Sequence, residues 1–516
     1  MFEQERADNG TSFRLCSLRL FDHPILHNIS LRFSDEYDTS NGVYTTVIIG
    51  ENGIGKSCLL ASIAEIFCYV EKLKRHEAAY DSRPRYFFEL EYKLIDQRIK
   101  IANFLDDDPS KGRRIFTRCY FYKNDHKVDF DTIELPKRVI ASATTIADKF
   151  VASSTEMFRY KGLRNENSPS STGTRTMVRK TVQSLLESLD VKSGFKEELK
   201  GLLEDLNFHP KLELSYKLKY SNEFVSEDVD ALKIKNLLFE RRKRTRNKYF
   251  EAKARYSYRR NEEEGYYERN EEDYYRIKQE EEYNRQLEEI SFKQWEEEEL
   301  RKYNAAAEFY RKLARRGTYG NILTYSLLGE DNLAIQDKDG LMLLTTLDLI
   351  SLPSLKVFKK KEGYEFDNSS SGESSMFCQM VNIMSAIEPC SMILIDEPEC
   401  STHPNWQINY IGWLKDIFNR YSNCHFVIST HSHFLLTDLE PKSSSIIALS
   451  QSDGVLRDVA MGMNTYAWSV DDILYRVFHV RNTRNRVLSL YEVTDGSSCN
   501  YLTLSIWCYY DQRKVC

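Results

Sequence analysis

No apolar run in the 516 residues approaches the roughly 20 that a membrane-spanning helix needs, so no contact with a membrane is expected. The opening residues, Met1-Phe-Glu-Gln-Glu-Arg6, are polar, and no leader peptide is expected. Eleven cysteines are present but none has metal-ligand spacing, which argues against structural zinc. Cys58, Cys390 and Cys424 lie in or beside apolar runs and read as reduced core residues of a cytoplasmic protein. A strong positive charge is also missing. Lys and Arg number 72 against 78 Asp and Glu, a formal net charge of -6. That balance argues against nucleic acid coating the whole surface and leaves a local basic patch open. The length suits two or three domain-sized units.

Against these absences stands Gly50-Glu51-Asn52-Gly53-Ile54-Gly55-Lys56-Ser57, a complete G-x-x-x-x-G-K-[ST] loop. Val43–Ile49 before it reads as a buried strand, and Cys58–Phe67 after it reads as a helix. Phosphate suits such a junction, because free backbone N–H groups and the helix dipole point at it. Gly50, Asn52, Gly53, Gly55, Lys56, Ser57 and Cys58 are the expected nucleotide contacts. Lys56 is expected to reach the β- and γ-phosphates, and Ser57 to hold Mg²⁺.

Residues 13–33 alternate as two strands joined at His23-Pro24, forming an antiparallel lobe whose Phe21 is a candidate for touching an adenine, beside ordinary core packing. Strand signals recur at 85–103 and 115–122, with a turn at Asp106–Gly112. A short strand at 136–141 leads on towards residue 150, closing a first segment, 1–150. Helical spacing (Val178, Val182, Leu185, Leu189) marks a helical subdomain over 151–234. Residues 235–315 differ in kind: Arg241-Arg-Lys-Arg-Thr-Arg246 opens a basic part, and Glu262–Glu264 and Glu296–Glu299 belong to an acidic one. Two readings stay open, a protruding charged helical hairpin turning near Gly265 and a solvated insert. DNA contact through the basic arm is a further expectation. A globular stretch, 316–485, follows, with a strand at 323–328, a turn at Asp337–Gly340 and an apolar-periodic helix after Ser369–Ser375; residues 486–516 are a tail.

Ser391–Glu399 is an apolar strand ending in paired acids, as expected inside a parallel sheet that delivers its last residues to a ligand edge. Asp396 is expected to hold Mg²⁺ and Glu397 to act as general base on the attacking water. Cys424–His433 is another buried strand ending in polar groups, placing His431 to contact the γ-phosphate or orient that water.

Taken in order, Gly50–Ser57, Ser369–Glu373, Leu394–Glu399 and Ser429–His431 resemble an ABC-type ATPase head. They are similar to the heads of SMC and double-strand-break-repair ATPases and to bacterial AAA ATPases related to the overcoming-lysogenization-defect family. The resemblance covers roughly 13–150 and 319–485. It implies an α/β P-loop NTPase with a mixed sheet, an antiparallel β lobe and the charged hairpin as an insert. It also implies ATP and Mg²⁺ as cofactors and a homodimer or higher homo-oligomer. Two heads would sandwich ATP, with Ser370, Ser371 and Gly372 acting in trans and Glu399–Thr402 forming the loop through which subunits communicate. Two departures stand out. Ser369-Ser-Ser-Gly-Glu replaces the usual Leu-Ser-Gly-Gly-Gln, and no glutamine occupies Ala141–Phe150, where one usually senses Mg²⁺. Ser142, Asp148 or a water are the open substitutes.

Thr465–Leu474 and Arg481–Asn485 resemble the tail of ATPase subunits from anti-phage systems of the Septu and retron-associated type, which pair an ATPase with a separate nuclease. That resemblance implies a partner nuclease. A DNA-repair or chromosome-associated ATPase that binds DNA itself, and an ATP-bound scaffold with little turnover, are the alternatives.

Overall fold

The computed structural model describes residues 12–34, 43–77, 83–105, 119–145, 147–164, 174–219, 229–241, 296–316, 321–359, 362–366, 371–421, 423–452 and 455–458. The chain divides into two compact units, residues 1–167 with 386–516, and residues 168–385. Most of the charged insert, the Asp106–Gly112 turn, Ser369–Ser370 and everything after 458 fall outside the described residues.

In the first unit the chain runs β1 (Phe13–His23), β2 (His27–Arg32), β3 (Tyr44–Gly50), α1 (Lys56–Lys74), β4 (Phe87–Leu94), β5 (Gln97–Ala102), β6 (Tyr120–Lys123), β7 (His126–Val128), β8 (Val139–Ala143) and β9 (Phe158–Tyr160). The second unit holds α2 (Thr174–Val191), α3 (Phe195–Asp205), β10 (Leu212–Lys217), α4 (Glu296–Arg315), β11 (Ile322–Ser326), α5 (Lys338–Thr346), β12 (Ser354–Lys359), β13 (Glu362–Glu365) and α6 (Ser371–Ala386). The chain then returns to the first unit for β14 (Met392–Asp396), α7 (Pro404–Ile417), β15 (His425–Ser429), β16 (Ser444–Ser452) and β17 (Val455–Asp458).

A seven-stranded sheet, ordered β17-β16-β3-β15-β14-β8-β9, carries the site. Its strands are parallel except the edge pair β16–β17. The order explains the composition of β14 and β15. Both lie in the middle of the sheet, and every residue of each is buried. A central parallel strand is covered on both faces, so it reads as an unbroken apolar run. The second sheet, β2-β1-β4-β5-β6-β7, is antiparallel and alternates in burial as one face of a core does. In β1 the alternation switches at a bulge between Leu15 and Ser17. Helix α1 joins the two sheets. Its Phe67 ring lies 6.3 Å from Phe13 and 5.7 Å from Tyr92, on the antiparallel sheet, while α1 also packs against β3, β14 and β15. His425 ties the layers at one point. Its Nδ1 accepts the Leu15 N–H at 2.9 Å, so Nε2 carries the proton and donates to Thr46 Oγ1 at 2.8 Å.

The β1–β2 turn is fastened to α1 by His23. Its Nδ1 accepts the N–H groups of Ile25 (3.1 Å) and Leu26 (2.9 Å), and its Nε2 faces Ser62 Oγ at 3.1 Å. A proton on Nδ1 would abolish both backbone bonds. Burial, with neighbouring His27 adding, lowers the His23 pKa from 6.5 to about 4. The folded state therefore binds fewer protons than the unfolded state between these values. His23's contribution to stability is whole above pH 6.5 and is lost as pH falls towards 4. Between pH 7 and 5, wild type should lose about 1–2 kcal/mol more stability than His23→Gln, after allowance for solvent screening. Urea unfolding of both proteins at the two pH values measures this, and equal losses would dismiss it.

In the second unit, β11-β10-β12-β13 form a four-stranded antiparallel sheet. Residues 151–234 thus hold the expected helices, α2 and α3, together with strands β9 and β10. The turn expected at Asp337–Gly340 is instead the start of helix α5. Asp337 is fully buried because its carboxylate accepts from Lys312 Nζ at 2.9 Å, from Tyr325 Oη at 3.1 Å and from Arg316. Within α5, position 340 takes glycine because the Phe309 ring occupies the space a Cβ would need.

Candidate active site

The C-terminal ends of β3, β15 and β14 lie side by side, and each feeds one part of the site. From β3 comes the glycine loop. Glu51, Asn52 and Gly53 are exposed, Gly53 and Gly55 have φ of 78° and 105°, and Gly55 caps α1. At Gly55 two demands coincide: the left-handed backbone, and a Cβ position only 2.6 Å from Leu26 Cδ2. The first-turn N–H groups of α1, those of Lys56, Ser57 and Cys58, lack partners within a helix and are available to an anion. Phe21, the candidate adenine contact, packs edge-on against Phe104. Beside Gly55 stand Leu26 and the exposed Ile25 of the β1–β2 turn, neither of which any motif marks.

Lys56 is buried. Its Nζ donates to Gly50 O at 2.8 Å and Glu51 O at 3.2 Å. It also lies 3.0 and 2.9 Å from Nδ1 and Nε2 of His431. Lone pairs on the two ring nitrogens diverge, so near-equal distances place the ammonium against the ring face. Burial lowers the Lys56 pKa to about 8, and Glu397, Glu399 and Asp396 oppose that shift. Burial and then the Lys56 charge lower the His431 pKa, so the imidazole is neutral at pH 7. His431 Nε2 faces Glu397 Oε1 at 3.2 Å.

Asp396 ends β14 and is buried, with its pKa raised by that burial. Its Oδ1 accepts from Ser57 Oγ at 3.0 Å and from Ser429 Oγ. Glu397 follows with φ of 47°, in the left-handed region unusual for a residue with a side chain. Three bonds hold its backbone there: its N–H donates to Ser429 O (3.1 Å), and its carbonyl accepts from Thr144 Oγ1 (3.0 Å) and the Cys400 N–H (3.2 Å). Cys400 Sγ lies 3.5 Å from Glu397 Oε2. Of the two residues among the substitutes for the missing glutamine, Asp148 is engaged by Arg164 at 2.6 Å and Tyr160 Oη at 2.8 Å. The Ser142 hydroxyl is buried without a hydrogen-bond partner among the described residues. Gly372 is buried in the first turn of α6 in the second unit, and Ser371 begins that helix.

The sheet thus brings Lys56, Ser57, Asp396, Glu397 and His431 together: a phosphate-type cradle with a cation, a hydroxyl–carboxylate pair and a second carboxylate. The family described as AAA ATPase domain matches residues 25–436, well over half of the chain. The chain belongs to that family. It is an ATPase built on an α/β P-loop NTPase fold. No curated protein matches it. Among solved structures, the ATPase is similar to the SMC head domain from Thermotoga maritima, at 11% identity and a TM-score of 0.36, over 87% of this chain and 100% of that one. It is also similar to the Smc head domain with an extended coiled coil from Pyrococcus furiosus, at 13% and 0.31, over 91% and 100%. A third is the recombination mediator RecF with a bound ATP analogue, at 13% and 0.30, over 87% and 99%. No helix among the described residues of the ATPase is long and apolar enough to cross a membrane.

Proposed function

We propose that this ATPase is a dimeric nucleotide switch, with Glu397 as general base and His431 as the γ-phosphate contact. The observation that carries the reading is the alignment of Lys56, His431 and Glu397 within 3.2 Å steps, beside the Ser57–Asp396 pair. Lys56 and the first-turn N–H groups of α1 bind the triphosphate. Glu397 takes the proton of the attacking water, and His431, neutral, donates or accepts at the terminal phosphate. Ser57 and Asp396 are the Mg²⁺ ligands. Their oxygens suit a hard cation, and among the described residues no group of three His, Cys, Asp or Glu could hold an ion alone. A cation held there by Ser57 Oγ and Asp396 Oδ1 would supply positive charge against the charge developing on the triphosphate.

Ser370, Ser371 and Gly372 of a second copy complete each nucleotide site, so closure depends on ATP. The resemblance of Thr465–Leu474 and Arg481–Asn485 to anti-phage ATPase subunits supports a partner nuclease as the switched effector. Sedimentation of the Glu397→Gln protein tests the switch: monomer without nucleotide and dimer with Mg²⁺-ATP is expected. A species unchanged by saturating ATP would count against it. The basic run Arg241–Arg246 supports a second reading, direct DNA contact, which predicts DNA binding that weakens with salt and disappears when the run is neutralised.

A further inference from the structure

Glu399 has no part in the chemistry above, yet its carboxylate points into the site's support. Its Oε1 accepts the His431 backbone N–H at 2.6 Å, and its Oε2 is sealed from solvent with the Thr430 hydroxyl beside it. The contact belongs to a closed ring of hydrogen bonds. Thr402 donates to Glu399 O from both its N–H (3.0 Å) and its hydroxyl (2.8 Å). Gln407 Nε2 donates to Thr402 O at 2.9 Å, and Gln407 Oε1 accepts from Ser432 Oγ at 2.6 Å. Ser432 follows His431 directly. The turn after β14 and the segment after β15 are therefore stitched at two points, Glu399 to His431 and Gln407 to Ser432.

We propose that Glu399 is the positioning residue of His431, coupling the 399–402 turn to the imidazole between Lys56 and Glu397. A backbone N–H held at 2.6 Å by a buried acceptor has little freedom. A shift of the turn consequently moves the ring, and the Lys56 and Glu397 contacts with it. This inference rests on the reading of His431 as a phosphate contact.

The test uses the full chain with Glu399→Ala, Glu399→Asp, Glu399→Gln, His431→Ala and the Glu399→Ala/His431→Ala double variant. Mg²⁺-ATP turnover and the affinity for a fluorescent ATP analogue are read for each. Glu399→Ala and Glu399→Asp should lower kcat about 10–100-fold and leave affinity within about threefold. Glu399→Gln should stay within about fivefold of wild type, because its amide oxygen accepts the same N–H. The double variant should match His431→Ala within about twofold, since both changes remove one function. In protein labelled with ¹⁵N-histidine, the ten histidines give few amide peaks. The peak missing from His431→Ala should move upfield in Glu399→Ala and hold in Glu399→Gln. Wild-type turnover in the Ala and Asp variants, with His431→Ala impaired, overturns the proposal and spares the reading beneath it. Wild-type turnover in His431→Ala overturns both. A double variant showing the full product of the single effects also overturns the coupling.

Discussion

Glu397→Gln should slow ATP turnover by about 10²–10³-fold while nucleotide affinity stays within a few-fold. The amide is close to isosteric, so the expected loss is of basicity and not of fold. The backbone of Glu397 is pinned by Ser429 O, Thr144 Oγ1 and the Cys400 N–H, none of which involves the carboxylate. Among the described residues, the polar contacts of the side chain are His431 Nε2 at 3.2 Å and Cys400 Sγ at 3.5 Å. An amide can satisfy either. The left-handed φ of 47° turns Glu397 away from the direction in which β14 delivers Asp396. One carboxylate then stays with the Ser57 hydroxyl, and the other faces the histidine. Coupled-assay turnover and binding of a fluorescent ATP analogue, measured on the same preparation, separate the two parameters. Turnover within threefold of wild type would assign the base elsewhere. Thr144 is a useful control. Its hydroxyl donates to the Glu397 carbonyl, so Thr144→Val should reduce kcat modestly, about 3–10-fold, by loosening a strained residue.

How much of this was readable without coordinates differs by element, for physical reasons. Central parallel strands are apolar along their whole length and end abruptly in polar groups, so β3, β14 and β15 announce themselves. The residues just past their ends then fall at one sheet edge whatever the details. The antiparallel lobe was legible where alternation was clean, as in β1, β2 and β4. Strands β10 and β12 were not. Leu-Glu-Leu-Ser-Tyr-Lys and Ser-Leu-Lys-Val-Phe-Lys carry charged residues within and beside their alternation, and no turn signal of the β1–β2 kind joins either to a neighbouring strand. Asp337-Lys-Asp-Gly340 reads locally as a turn, whereas the fold buries Asp337 among three donors and packs Gly340 under the Phe309 ring at a helix start. Glu399 and Gln407 were invisible as a pair, since their partners His431 and Ser432 are 32 and 25 residues away. A spacing rule cannot register a contact that exists only once two strands are neighbours.

Lys56→Ala should weaken ATP binding by at least about 100-fold, more than the loss of one ammonium–phosphate contact alone would cause. The excess comes from what Lys56 offsets. Asp396, Glu397 and Glu399 all act electrostatically on Lys56. With the ammonium gone, a triphosphate would enter a pocket whose nearest fixed charges are carboxylates. Like charges at such range cost several kcal/mol when partly desolvated, and Mg²⁺ could relieve only part of this. Lys56→Arg should not restore binding. The ammonium sits between Gly50 O at 2.8 Å, Glu51 O at 3.2 Å and the His431 ring, a space fitted to a compact cation and not to a planar fork. Thermal melts with and without Mg²⁺-ATP provide the measurement. Wild type should gain several degrees on adding nucleotide, and both variants should gain none at the same concentration. A Lys56→Ala protein that still gains wild-type stabilisation from ATP would show that the glycine loop binds phosphate through its backbone alone.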